Sequence, residues 1–199
     1  MRPVNRLFDV HCHPRRPTGL RSLWVCLVLL LGMAAPANAV AADSESPPLL
    51  HHLSVSSSIH ASSLFNVRYR ELVVALRLPW KRAINSHWQL ETMGLLGIGK
   101  LTGKGVTGLV YNMGFQAAIL PHHFGLYLTG ASRVAVLQKP HLNGVNLGSP
   151  LQFLSFAEAG WLWMPRLSTG IRILHISNGG ITDINPGINL ISVVINIHP

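Results

Sequence analysis

Two residue types that act together in nucleophilic catalysis lie close together near the C-terminus, at His175 and Ser177. A serine hydroxyl becomes a nucleophile when an adjacent base takes its proton, and histidine is the side chain most often used as that base. If the segment is a strand, the two side chains share one face, roughly 6.5–7 Å apart along it. Ile171 and Ile173 lie on the same face. The spacing therefore predicts a base–nucleophile pair at the end of an apolar stripe, which favours a lipid substrate.

The residues around this pair form a longer motif. Residues 175–180 read H-x-S-N-x-G, and residues 185–187 read N-x-G. This pattern resembles the outer-membrane lipid A 3-O-deacylases of the PagL type, which are eight-stranded barrels that remove an ester-linked acyl chain from lipid A. More loosely, the segments 151–153 and 170–172 are similar to strands of that family.

The resemblance implies a role for each matching residue. His175 corresponds to the general base and Ser177 to the nucleophile. Asn178 and Gly180 fall where the family builds its oxyanion hole. The third member of the family's triad, a glutamate, falls on Asn189 of this chain. The implied reaction is the hydrolysis of a carboxylic ester, which needs neither a metal ion nor an organic cofactor.

The amide at position 189 affects the expected rate. An amide oxygen can accept the N–H bond of an imidazole, but it brings no charge to stabilise the protonated ring. Activity is therefore expected to be weaker than with a glutamate. Asp183 is the other acid close enough in sequence to compete for the role.

The N-terminal segment has the features of a secretory signal peptide. An uncharged apolar run of 13 residues, 23–35, follows three arginines and precedes the small-x-small sequence at 37–39. We expect residues 1–39 to be cleaved and residues 40–199 to form one exported domain. An uncleaved signal anchor is the alternative, but the run is short for a hydrocarbon core about 30 Å thick.

Removing this segment also defines the chemistry of the remaining domain. Cys12 and Cys26 are lost with it, which leaves no thiol for a disulfide or a metal site. Eleven basic and six acidic side chains remain. The basic residues are scattered, with no cluster longer than Lys81–Arg82, so nucleic acid is not predicted as a partner. Anionic lipid phosphates are the expected partner of this surface.

Apolar residues alternate with small or polar ones along most of the domain, as in 72–80, 109–119 and 191–197. Eight such segments of about 10–16 residues, separated by prolines such as Pro79 or by glycines, are typical of a transmembrane β-barrel. We therefore predict an all-β, eight-stranded antiparallel barrel of the outer-membrane type. The alternative is a soluble barrel with its apolar face inward. Tryptophans near the strand ends favour the membrane.

Two histidine pairs, His51–His52 and His122–His123, raise the question of a metal site. Neighbouring residues on a strand point to opposite faces, and the sequence shows no carboxylate or cysteine that supports either pair. No metal site is predicted.

These observations place the protein in the outer membrane of a Gram-negative bacterium, with both termini in the periplasm. His175, Ser177 and Asn189 would then face the outer leaflet, beside lipopolysaccharide as substrate. The sequence leaves two functions open, a serine esterase acting on lipid A and a catalytically silent barrel with a structural or lipid-recognition role. It also leaves the oligomeric state open, a homodimer included.

Overall fold

The computed structural model describes residues 49–61, 67–142 and 144–199, so the predicted signal peptide at 1–39 lies outside the described residues. The described residues form ten strands: β1 Leu50–Ala61, β2 Val67–Ala83, β3 Trp88–Gly103, β4 Val106–Pro121, β5 Gly125–Leu137, β6 His141–Leu142, β7 Val145–Asn146, β8 Leu151–Met164, β9 Leu167–Ser177 and β10 Ile188–Ile197. None of these residues lies in a helix long and apolar enough to cross a membrane.

Eight of the strands close into a barrel in the order β1-β10-β9-β8-β5-β4-β3-β2, with every neighbouring pair antiparallel. The predicted eight-stranded antiparallel transmembrane barrel is confirmed. The short strands β6 and β7 form a separate hairpin between β5 and β8, which the sequence did not predict. Pro79, expected to end a strand, instead lies inside β2, where the register with β3 shifts between Arg77 and Lys81. A proline without an N–H is accommodated at such an irregularity.

The two faces of the wall differ as a membrane barrel requires. Outward side chains are large and apolar, with Met113 61% and Ile173 60% exposed, whereas alternate residues such as Gln152 and Arg133 are buried. A soluble barrel would have the reverse polarity. At the end where β2 and β8 finish, Trp80, Trp161 and Trp163 are exposed, as in an interfacial aromatic girdle.

A few charged side chains are buried in the lumen among apolar ones, and they pair with one another. The Glu71 carboxylate accepts hydrogen bonds from the guanidinium groups of Arg133 and Arg172, and Arg172 also pairs with Glu158 at 2.7 Å. Both guanidinium groups lie over the Phe156 ring, 5.2 and 4.0 Å from its centroid. This connected set holds opposite sides of the wall together, since buried charges are tolerated only when they are paired.

Candidate active site

The outward face of β9 carries the two residues singled out by their spacing. His175 is exposed, its neighbours Leu174 and Ile176 are buried, and Ser177 is partly buried as the last residue of the strand. Alternation along the strand therefore places the imidazole and the hydroxyl on the outer wall of the barrel, at the end of the row formed by Ile171 and Ile173. Neither side chain projects into the lumen.

Asn189 contacts the imidazole directly. It lies opposite His175 in the pairing of β10 with β9, and its Oδ1 is 2.8 Å from His175 Nδ1. When the amide oxygen accepts the Nδ1–H bond, the ring is held with Nδ1 protonated and Nε2 free as a base. No hydrogen bond or ion pair joins Asp183 to His175 within the described residues, so Asn189 and not Asp183 orients the ring.

The serine hydroxyl is available for reaction. Within the described part of the chain, Ser177 Oγ has no hydrogen-bond partner. Catalytic hydrogen bonds often tighten only when substrate binds. A second serine also lies near the ring, because Ser155 on β8 pairs with His175, while Phe153 pairs with Ser177. Ser155 could not be found from the sequence, since its place beside His175 depends on the register of β8 with β9.

Asn178 organises the loop between β9 and β10. Its side chain is fully buried, and its amide nitrogen lies 3.1 Å from the carbonyl oxygen of Leu147, 2.9 Å from Thr182 Oγ1 and 2.8 Å from the carbonyl oxygen of Ile184. The two N–H groups of this amide are therefore occupied by acceptors inside the protein. They tie the loop to itself and to the segment that precedes β8.

Some of the backbone N–H groups that follow Ser177 are hydrogen-bonded within the loop, and one is not. The N–H of Asn178 donates to Asn185 Oδ1 at 3.1 Å, and the N–H of Gly180 donates to Asn178 Oδ1 at 2.9 Å. Gly179 lies between them with φ of 66°, and its N–H has no acceptor among the described residues. Gly179 is thus the donor in this turn that remains free for a ligand, a feature that the motif alone did not indicate.

Gly187 lets the same loop lie against the imidazole. Its φ is 65°, a conformation that favours glycine, and a Cβ at this position would lie 3.1 Å from His175 Cε1. A larger residue would crowd the ring. The N-x-G pair of the motif therefore has two structural roles: Asn185 holds the backbone after Ser177, and Gly187 makes room for the ring.

A comparison with known protein families shows which family this chain belongs to. A sequence model of the family described as lipid A 3-O-deacylase (PagL) matches residues 65–198. The chain belongs to this family. The deacylase family match includes the whole of β9, the loop after it and β10, and so contains every candidate site residue.

One solved structure agrees at the level of the fold. The crystal structure of the outer membrane enzyme PagL superposes with a TM-score of 0.65 at 19% identity, covering 74% of this chain and 99% of that one. A NanC porin structure, at a TM-score of 0.36 and 8% identity over 74% of this chain and all of that one, is too distant to support any argument. No curated protein matches this member of the deacylase family.

One of the two histidine pairs, His51–His52, differs from expectation. His122 and His123 are exposed after β4, but His51 and His52 are both buried, and His51 Nε2 lies 3.0 Å from the Glu91 carboxylate. The two premises used against a metal at His51–His52, opposite faces and no carboxylate nearby, are wrong. A sequence pattern cannot reveal the local irregularity in β1 that turns both rings inward.

Proposed function

We propose that this chain is a serine esterase that hydrolyses the 3-O-linked acyl ester of lipid A, with Ser177 as nucleophile and His175 as general base. The observation that carries the proposal is the 2.8 Å contact between His175 Nδ1 and Asn189 Oδ1 on the outer wall of the barrel. It orients a base beside a serine that has no hydrogen-bond partner among the described residues, at a surface that faces lipid. Membership of the deacylase family supplies the substrate class.

The reaction follows the acyl-enzyme route. His175 Nε2 takes the proton of Ser177 Oγ as that oxygen attacks the ester carbonyl, and the imidazolium then gives the proton to the departing sugar hydroxyl. Water, activated by the same nitrogen, releases the fatty acid from Ser177. Asn189 accepts the Nδ1–H bond in the tautomer that leaves Nε2 free as the base.

Donors in the turn after Ser177 would hold the developing oxyanion. The motif assigns this role to Asn178 and Gly180, whose N–H groups are bonded to side-chain oxygens of the loop. We infer that the N–H of Gly179, which has no acceptor in the described part of the chain, contributes as well. The Asn178 side chain acts by holding the turn in shape. Removing one donor of this kind costs about 3–4 kcal/mol in well-studied hydrolases.

The surroundings of the pair suit an acyl chain. Exposed apolar side chains continue from the site along the wall at Ile171 and Ile173, Phe153 lies next to Ser177, and Ile181 and Ile184 are exposed in the loop above. An ester between a sugar and a fatty acid lies where headgroups meet hydrocarbon. We therefore place the protein in the outer membrane of a Gram-negative bacterium, exported by residues 1–39, with lipopolysaccharide as its partner.

Mass spectrometry of lipid A from cells that express the chain tests this function. We expect loss of one ester-linked hydroxyacyl chain, abolished by Ser177→Ala. Ser155→Ala is the matched control, because Ser155 is also paired with the histidine but is not placed as the nucleophile. Deacylation that survives Ser177→Ala and disappears with Ser155→Ala would contradict the proposed roles.

A catalytically silent barrel is the second candidate, and one observation favours it. The group that orients His175 is an uncharged amide, which gives the imidazolium less stabilisation than a carboxylate would. Unchanged lipid A in cells whose outer membrane contains the folded wild-type chain would support this function over the esterase.

A further inference from the structure

Three histidines converge inside the barrel at the end away from the candidate active site. His51 and His52 are each 6% exposed and His198 is partly buried, and one ring nitrogen from each lies within 4.8 Å of the others. They border a cavity of about 210 Å³ in the mouth of the lumen. This group plays no part in the proposed ester hydrolysis.

A local irregularity brings the adjacent pair together. The register of β1 against β2 shifts between Leu50 and His52, so His51 is an extra residue at this point in the strand. Such a bulge re-aims a side chain that regular alternation would send outward. Both rings therefore face the lumen, and His51 Nδ1 lies 2.7 Å from His52 Nδ1.

The groups behind these rings fix which nitrogens face one another, and a cation would replace the proton that His51 Nδ1 and His52 Nδ1 share. Glu91 Oε2 lies 3.0 Å from His51 Nε2, and a carboxylate there accepts the Nε2–H bond and leaves the lone pair on Nδ1. Glu91 also pairs with Lys81 through its other oxygen. His198 Nε2 lies 3.2 Å from Ser168 Oγ. A carboxylate behind a histidine is the usual outer partner of a metal ligand.

We propose that His51, His52 and His198 form a binding site for a divalent transition-metal ion, with zinc as the best fit. Three imidazoles suit zinc, copper or nickel, whereas magnesium and calcium require oxygen ligands. Zinc–nitrogen bonds of about 2.0–2.1 Å in a tetrahedral site place the ligand nitrogens about 3.4 Å apart. The two Nδ1 atoms would therefore separate from 2.7 Å, while the more widely spaced nitrogens, now within 4.8 Å of one another, would approach. The cavity offers the fourth position to water.

The position of the site gives the metal a structural role. His51 and His52 lie on β1, whereas His198 follows β10, and these two strands pair to close the barrel. A bound ion would link the first strand to the last. Ligands that bind only the folded state raise its stability by mass action. The site lies roughly 25 Å along β9 from His175, too far for a role in the reaction.

Metal binding can be measured on the untagged full chain, purified from outer membranes into detergent and stripped with a chelator. Titration with Zn²⁺ followed by calorimetry is expected to show one ion per chain, and Co²⁺ is expected to give the visible absorption of a four-coordinate site. His52→Ala and His198→Gln should each abolish this binding. His123→Gln, which alters an exposed histidine elsewhere, should leave it unchanged.

Two further measurements separate a metal site from a general effect on folding. Zn²⁺ should raise the temperature at which the wild-type barrel unfolds in a gel-shift assay, and the chelator should reverse the change. Glu91→Gln should weaken Zn²⁺ binding about 10- to 100-fold while the rings remain in place. Absence of Zn²⁺ and Co²⁺ binding by the folded wild-type chain, or equal binding by the His52 and His198 variants, would overturn the proposal.

Discussion

The amide oxygen of Asn189 lies 2.8 Å from Nδ1 of His175, across a directly paired position of β9 and β10. The two strands fix this contact, so the ring is oriented by the barrel wall itself. A carboxylate in the same place could only accept the N–H bond, whereas an amide can also donate and so permits the other tautomer. This difference makes position 189 the most informative place to change the rate.

Asn189→Ala removes the acceptor that orients the ring. A hydrogen bond to a group that becomes charged is worth roughly 1.5–3 kcal/mol, so kcat is expected to fall about 10- to 150-fold. Release of fatty acid from lipid A by the purified protein measures the change. Ser192→Ala, a buried lumen position on the same strand, serves as the control. An unchanged kcat would show that Asn189 does not position the base.

Asn189→Glu restores charge at the same position. A charge-assisted hydrogen bond is roughly twice as strong as a neutral one, so kcat is expected to rise about tenfold. The isosteric pair Asn189→Glu and Asn189→Gln separates charge from side-chain length. If both variants turn over at the same rate, charge is not what limits the wild-type protein.

Gly187→Ala places a methyl group 3.1 Å from His175 Cε1. We expect kcat to fall at least tenfold, because displacing the ring breaks its alignment with Ser177. Gly105→Ala is the matched control: Gly105 has a φ of 84°, so the same backbone strain applies, but a Cβ there would meet open space. If kcat fell equally in the two variants, backbone strain alone would explain the effect of Gly187→Ala.

Asn178 gives a prediction that separates loop order from oxyanion binding. Its amide donates to the carbonyl groups of Leu147 and Ile184, so Asn178→Asp, which cannot donate, should lower activity as much as Asn178→Ala. Both variants should also speed hydrogen exchange at the backbone of the loop after β9. Lost activity with unchanged exchange would point instead to direct contact between this side chain and the substrate.

The lumen charges predict a stability effect that is separate from catalysis. Glu71→Leu leaves Arg133 and Arg172 without the carboxylate they share, and breaking a buried pair costs about 3–5 kcal/mol. Urea unfolding in lipid vesicles should show the loss. Lys81→Ala removes a pairing residue that is 56% exposed and should change stability little. If Glu71→Leu lowers the free energy of unfolding no more than Lys81→Ala does, the lumen charges are not needed to hold the barrel closed.

Much of the fold was predictable because a membrane barrel repeats one rule. Alternation with a period of two identifies each strand and its outward face, and it correctly placed His175 and Asn189 on that face. The same rule failed where the backbone departs from it. It put His51 and His52 on opposite faces, and it ended a strand at Pro79, since a bulge shifts the register without leaving a clear sequence signal.

The site was less predictable than the wall. The motif predicted His175 and Ser177 as the candidate pair, but contacts between distant segments depend on register and loop packing. The hydrogen bond between Asn178 and Leu147 joins two loops 31 residues apart, and Ser155 lies opposite the histidine in the pairing of β8 with β9. Neither follows from composition or spacing. Both relationships became visible only from the strand pairing and loop packing of the folded barrel.

Covalent labelling tests most directly whether His175 activates Ser177 on the outer wall. A long-chain alkyl phosphonate ester reacts with an activated serine, and peptide mass spectrometry locates the adduct. We predict one adduct on Ser177 in the wild-type chain, with labelling lost in His175→Ala. An adduct on Ser155, or labelling of Ser177 that is unchanged without His175, would contradict the account.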